Sequence, residues 1–160
     1  VRDRGDAEIR DYIKISKCRP FVVKDQAYLV PKRSVFNRIV GDSHLEIEFA
    51  AFLDGCDDIV SYVKNYMAVH FSIDYVNADG DISSYYPDFI VKKTEREVFI
   101  IETKGLVDLD VAPKWQRLVQ WCDDVNRIQA KVVYKPLYVE EAKFKAYKAN
   151  GFMELVKIFG

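Results

Sequence analysis

From residue 44 the apolar positions follow a helical period. Leu45, Phe49, Phe52, Leu53 and Cys56 recur at intervals of three and four. Gly41-Asp42-Ser43 precedes them with N-cap chemistry, so the spacing predicts a helix over 44–54. A second short helix is expected over 57–66. The pattern then turns to alternation. Residues 68–76 set Val69, Phe71 and Ile73 against His70, Ser72 and Asp74 and end at Asn77-Ala78-Asp79-Gly80, a turn signal. A strand is expected over 82–91, a polar turn over 92–96, and a strand over 98–103. The last of these is almost continuously apolar, as for a strand buried on both faces. Acids and Pro113 mark the opening of a helix at 108–113, and Trp115, Leu118, Val119, Cys122 and Val125 give it an apolar stripe. A strand over 131–139, a helix over 140–148 and a stop at Asn150-Gly151 complete the chain. Before residue 41, short extended pieces are expected at 12–15, 20–23 and 27–30, punctuated by Pro20 and Pro31. The expected organisation is a β-rich N-terminal extension over 1–40 and an α/β domain over 41–160. Its mixed sheet has about four strands, flanked by helices in the order α-β-β-β-α-β.

Composition narrows this little. The chain has 160 residues, 49% hydrophobic and 31% charged, an ordinary globular balance. No apolar run approaches the roughly 18 residues of a membrane span. The charged start, VRDRGDAEIR, is unlike a secretory signal, and the missing initiator Met suggests a segment of a larger protein. Cys18, Cys56 and Cys122 lie far apart, are odd in number and form no zinc pattern, so reduced thiols in a cytoplasmic protein are expected. The net charge of −1 is not that of a protein that coats nucleic acid. Any contact with DNA would need a local basic patch or a partner domain.

Candidate chemistry concentrates in Tyr86-Pro87-Asp88-Phe89-Ile90-Val91 and Ile100-Ile101-Glu102-Thr103-Lys104-Gly105. An otherwise apolar strand ends in Glu102 and Lys104, which share a face because strand side chains alternate. A hairpin symmetric about Glu95 places Asp88 opposite Glu102, with Cβ atoms about 5 Å apart. Two carboxylates and a lysine converging at the end of a buried hairpin are costly unless paired or bound to metal. With the Thr103 carbonyl, Asp88 and Glu102 are hard oxygen ligands suited to Mg²⁺. Lys104 could orient a water or stabilise developing charge. The plain alternative is a solvated Glu-x-Lys ion pair worth under about 1 kcal/mol. Lys114 and Arg117, one turn apart near a helix start, are candidate phosphate contacts or merely a solvated face. Trp115 is expected in the core, and Trp121, off the stripe, against a neighbouring segment or DNA. His44 is expected at the start of the first helix and His70 facing solvent or a partner, neither in catalysis. Tyr85 and Tyr86, next to Asp88, could shape the cleft, with packing the plainer expectation.

YYPDFIV…VFIIETKG followed by DLDVAPKWQRLVQWCDD resembles the C-terminal endonuclease domain of the restriction subunits of type III restriction–modification enzymes and related DEAD/DEAH-box helicase-nucleases. The stretch from Ile15 to Asp54 and Tyr62–Asn65 extend the likeness over nearly the whole chain. The resemblance implies a PD-(D/E)XK fold and Mg²⁺-dependent cleavage of duplex DNA, with Mn²⁺ able to substitute. It also implies an ATP-driven translocase in the same polypeptide and a modification methyltransferase subunit as partner. No Walker A motif occurs here, so the motor would lie outside this chain. Asp88 follows Pro87, and Glu102-Thr103-Lys104 supplies the ExK motif. The family often adds an acid from the first helix. Glu46 and Glu48 both stand about 80° from the centre of the apolar stripe, so helical geometry leaves both open. The family's spacing of an acid before Phe-Ala favours Glu46, ahead of Phe49-Ala50, as catalytic acid and metal ligand. A nuclease-fold module that binds DNA or docks a helicase without cleaving is the other reading.

Overall fold

The computed structural model describes residues 12–22, 26–66, 68–104 and 111–160. A 3-10 turn at Ile15–Lys17 is followed by β1 (Tyr28–Leu29), β2 (Ile39–Val40), α1 (His44–Gly55), β3 (Ser61–Lys64), β4 (Ile73–Val76) and β5 (Ile82–Tyr85). Then come β6 (Phe89–Thr94), β7 (Glu97–Lys104), α2 (Val111–Ile128), β8 (Val133–Glu140), α3 (Glu141–Tyr147) and α4 (Phe152–Phe159). The central sheet runs β3-β6-β7-β8. It is antiparallel between β3 and β6 and between β6 and β7, and parallel between β7 and β8. This is the expected α/β class, with a mixed four-stranded sheet flanked by helices.

Burial follows the strand period. On β7, Phe99 and Ile101 join a core with Phe49 and Leu53 of α1 and Phe152 and Leu155 of α4. Ile100 points the other way, into a second core with Ile73, Tyr85, Leu118 and Cys122. A strand covered on both faces explains the unbroken apolar run. Cys56 and Cys122 are free and buried, and burial pushes both thiols up to about 12.

The segment before α1 packs on this body. Ile39 is fully buried in the first core. The Asp54 carboxylate accepts the Lys32 N–H at 2.8 Å and the Arg33 N–H at 2.9 Å. Ser34 bridges to Tyr62, so residues 33–35 run beside β3 at one sheet edge. β8 forms the other edge and carries Pro136, opposite Ile100.

Several expected elements differ. Residues 57–66 hold strand β3 rather than a helix. Ile59, Tyr62, Val63 and Tyr66 have helical spacing, but pairing with β6 decides the conformation. The strand expected over 68–76 exists only at Ile73–Val76, because Ala68-Val69 form a turn and His70 is left-handed at φ 53°. The expected strand over 82–91 breaks at Tyr86–Asp88, where Pro87 interrupts it, and its halves enter different sheets. Residues 12–15 and 20–22 are not strands, and Val23 lies outside the described residues. So do residues 105–110; within the described residues α2 begins at Val111. Asn150-Gly151 is followed by one more helix, α4.

Candidate active site

The β6–β7 hairpin sets the site. Phe89 pairs with Ile101, Ile90 with Ile100, Val91 with Phe99 and Lys92 with Val98. This register is symmetric about Glu95 and, extended by one residue, sets Asp88 across from Glu102. Asp88 stands just before β6, where the ladder ends. Its Oδ2 accepts the Thr103 N–H at 2.8 Å and the Thr103 hydroxyl at 2.7 Å. Its main chain is fixed by Asn65, whose N–H donates to the Asp88 carbonyl at 2.8 Å and whose amide donates to the Pro87 carbonyl at 2.9 Å.

Glu102 is 7% exposed and projects into the α2 side of the sheet. Its Oε2 accepts the Tyr85 hydroxyl at 3.0 Å, and its Oε1 lies 3.6 Å from the Lys104 ammonium. Burial, and then the Asp88 charge, push the Glu102 carboxyl up to about 8, against the Tyr85 hydrogen bond and the charges of Lys104 and Lys114. Burial likewise raises Asp88, opposed by the Thr103 hydrogen bonds. A buried carboxyl raised further by the charge of a second one, as Glu102 is by Asp88, is the usual mark of a site built to receive a cation or share a proton. A small cleft beside them is lined by Tyr85, Glu102, Lys104, Lys114, Trp115 and Tyr138.

The other candidates separate. Glu46 answers its own cap: the Ser43 hydroxyl accepts the Glu46 N–H at 3.2 Å, and Glu46 Oε2 accepts the Asp42 N–H at 2.9 Å. The same oxygen lies 2.7 Å from the ammonium of Lys64, which is 3% exposed on β3. Glu46 and Lys64 both act electrostatically on Asp88, so this pair adjoins the acid centre. Glu48 turns elsewhere, toward His44 at 3.3 Å and Lys145 at 3.6 Å. Lys114 belongs to the cleft, with its ammonium over the Tyr75 ring at 5.8 Å. Arg117 donates from Nε to the Asp74 carbonyl at 3.0 Å and ties the β4–β5 hairpin to α2. Trp121 packs between Phe71 and Tyr134, with ring centroids at 5.1 and 5.5 Å. His70 is exposed beside Tyr86.

Asn65 and Lys64 were not singled out as site residues by sequence reasoning, and Tyr85 was set beside Asp88 without Glu102 as its partner. A buried tyrosine needs a partner for its hydroxyl, which is the signal that could have linked Tyr85 to a carboxylate. Lys64 and Asn65 sat in a segment expected to be helical, which hid their place beside Asp88. Among the described residues, no group of three or more Asp, Glu, His or Cys side chains could enclose a metal ion. The donor set is two carboxylates with main-chain oxygen, which suits a hard cation that keeps several of its waters.

A mixed four-stranded sheet flanked by helices, with two acids and a lysine at one end of its central hairpin, defines a restriction-endonuclease-like fold. The family model described as "Endonuclease domain" matches residues 32–145, and the chain belongs to that family. No match is found among curated proteins or among solved structures. No helix among the described residues is long and apolar enough to cross a membrane.

Proposed function

We propose that this domain hydrolyses DNA phosphodiester bonds with Mg²⁺, as the cleavage module of a cytoplasmic type III restriction enzyme or helicase-nuclease. The observation that carries this reading is the buried Asp88–Glu102 pair with Lys104 on the same hairpin end. Asp88, Glu102 and the Thr103 carbonyl would hold the ion. The raised carboxyl of Glu102 supports the fit, since a divalent cation relieves the repulsion from Asp88. Bound Mg²⁺ would polarise the phosphodiester and lower the pKa of a water. Thr103 keeps the Asp88 carboxylate aimed, and Tyr85 does the same for Glu102. Lys104 supplies a fixed positive charge for the phosphoryl oxygens as their charge grows. Glu46 acts through Lys64 on the same centre, and Lys114 offers a phosphate contact at the cleft. The translocase domain and the methyltransferase subunit are proposed partners by family resemblance.

The test is nicking of supercoiled plasmid with Mg²⁺ or EDTA, alongside calorimetric titration of Mg²⁺. Asp88→Ala should lose metal binding and cleavage together, because a hard ion loses an oxygen ligand. Lys104→Ala should retain metal and cleave about 10²-fold more slowly or worse, since an ammonium cannot be a ligand. Wild-type cleavage by Asp88→Ala would remove the chemical basis of the proposal. Metal and DNA binding without nicking by the wild-type chain would favour the silent module.

A further inference from the structure

Charge is divided unevenly along the chain. Residues 12–40 carry seven lysines and arginines against one acid, Asp25, while residues 41–160 carry fourteen against twenty. The cations that a phosphate polymer requires are therefore concentrated in a segment apart from the acid–lysine centre. That segment encloses an open cavity of about 570 Å³, lined in part by Ser16, Arg19, Phe21, Phe36, Asn37 and Arg38. Arg33 is paired with Asp57, but Arg19 and Arg38 have no carboxylate partner among the described residues. Both are exposed. The Arg38 guanidinium lies over the Tyr28 ring at 4.7 Å. Stacking orders it without cancelling its charge.

The cavity is coupled to the acid centre through Tyr66. The rings of Phe21 and Phe36 pack on Tyr66 with centroids at 5.2 and 5.9 Å. The Lys64 ammonium lies over the same ring at 5.3 Å. Between them in sequence, Asn65 holds the Asp88 carbonyl. The chain that fixes Asp88 thus also packs, through Tyr66, against two residues that line the cavity, Phe21 and Phe36.

We propose that this cavity holds the DNA backbone on its way to the acid–lysine centre, with Arg19 and Arg38 on phosphate oxygens. Exposed Asn37 and Ser16 supply neutral hydrogen bonds at its rim. The reading rests on the proposed function only in taking DNA as the ligand. It does not require cleavage.

The experiment measures anisotropy of a short labelled DNA duplex against the full chain carrying Asp88→Ala, over a range of KCl. Arg19→Gln with Arg38→Gln should weaken binding about tenfold or more at low salt, and the slope of log affinity against log salt should fall by about 0.9 for each lost phosphate contact. Arg96→Gln, an exposed arginine at the opposite end of the β6–β7 hairpin, should change neither. Equal thermal unfolding of the variants establishes that the fold is retained. Unchanged affinity and slope in the double variant would overturn the proposal, as would no duplex binding by the parent chain at low salt. An effect confined to an acidic peptide would overturn it too. If the wild-type chain nicks plasmid while the double variant binds normally, the nuclease reading survives and this one fails. If nicking is absent but binding depends on both arginines, the reverse holds.

Discussion

Glu102 carries the largest pH signature of the site. Its carboxyl is raised from 4.5 to about 8, first by burial and then by Asp88. A raised acid stabilises the fold when protonated. Its contribution is fully present below 4.5 and is lost as pH climbs through about 8. The metal-free chain should therefore lose stability over that window, by a few kcal/mol, and Glu102→Gln should flatten the loss. Thermal melts of both chains across the window check this; parallel curves would contradict it. Metal competes with that proton, so Mg²⁺ affinity should rise over the same window. Tyr85→Phe removes the hydrogen bond that favours ionised Glu102. It should move the rise in metal affinity to higher pH, as read by titration calorimetry. Lys64 makes a separate point. Lys64→Met leaves Glu46 without its cation beside Asp88 and should cost about 3 kcal/mol, part of it recovered by Glu46→Gln in the same chain. Urea denaturation of the two single variants and the double variant measures that coupling. Asp88, Glu102 and Lys104 could be placed together because a symmetric turn and strand parity define them locally, whereas Thr103 was named only for its carbonyl and its hydrogen bonds to Asp88 were not foreseen. Lys64 and Asn65 were not legible, because their role depends on a pairing between β3 and β6 some 25 residues apart in sequence.

At the scale of elements, the same limit recurs. The helical spacing of Ile59, Tyr62, Val63 and Tyr66 is real, yet Ser61–Lys64 completes a sheet whose other partner is far along the chain. Propensity yields to tertiary pairing in such short segments. The missed helix has a different cause. Gly151 was taken as a terminator, while it is the N-cap of α4, and Phe152, Leu155, Val156 and Phe159 form the stripe that was overlooked. Gly151 offers no side-chain cap. Asp58 substitutes for it, accepting the Phe152 N–H at 2.9 Å and the Met153 N–H at 2.7 Å. Asp58→Ala should cost about 1–2 kcal/mol, the range for a lost N-cap. Equilibrium denaturation measures it. The β6–β7 hairpin, by contrast, was readable in its register from Phe89 to Lys92, since an apolar run and a polar turn suffice to set it, but the turn expected over 92–96 is shorter: β6 runs on to Thr94, where the pairing shifts to Glu97.

For the whole molecule, the residues before α1 belong to the packed body as well as to the proposed DNA path. A chain beginning at residue 41 loses fully buried Ile39 and the backbone donors of Lys32 and Arg33 to Asp54. Removing a buried isoleucine alone costs about 2–5 kcal/mol, a large part of the stability of a small domain. Such a chain should unfold at markedly lower urea than one beginning at residue 26, as followed by circular dichroism. The net charge of −1 leads to a further expectation: weak, salt-sensitive DNA binding with little sequence preference by these 160 residues, checked by competition between unrelated duplexes. The two borders of the central sheet have one more consequence. Residues 33–35 occupy the border at β3, but β8 meets its surroundings with Pro136 and the charged Lys135 in the strand. A proline offers no N–H to a foreign strand, and a lysine resists desolvation. Pro136→Val would restore a complete row of donors. At high concentration that chain should recruit copies of itself into thioflavin-binding aggregates, while the wild type stays dispersed. The proline in β8 thus acts as a guard against fibril growth.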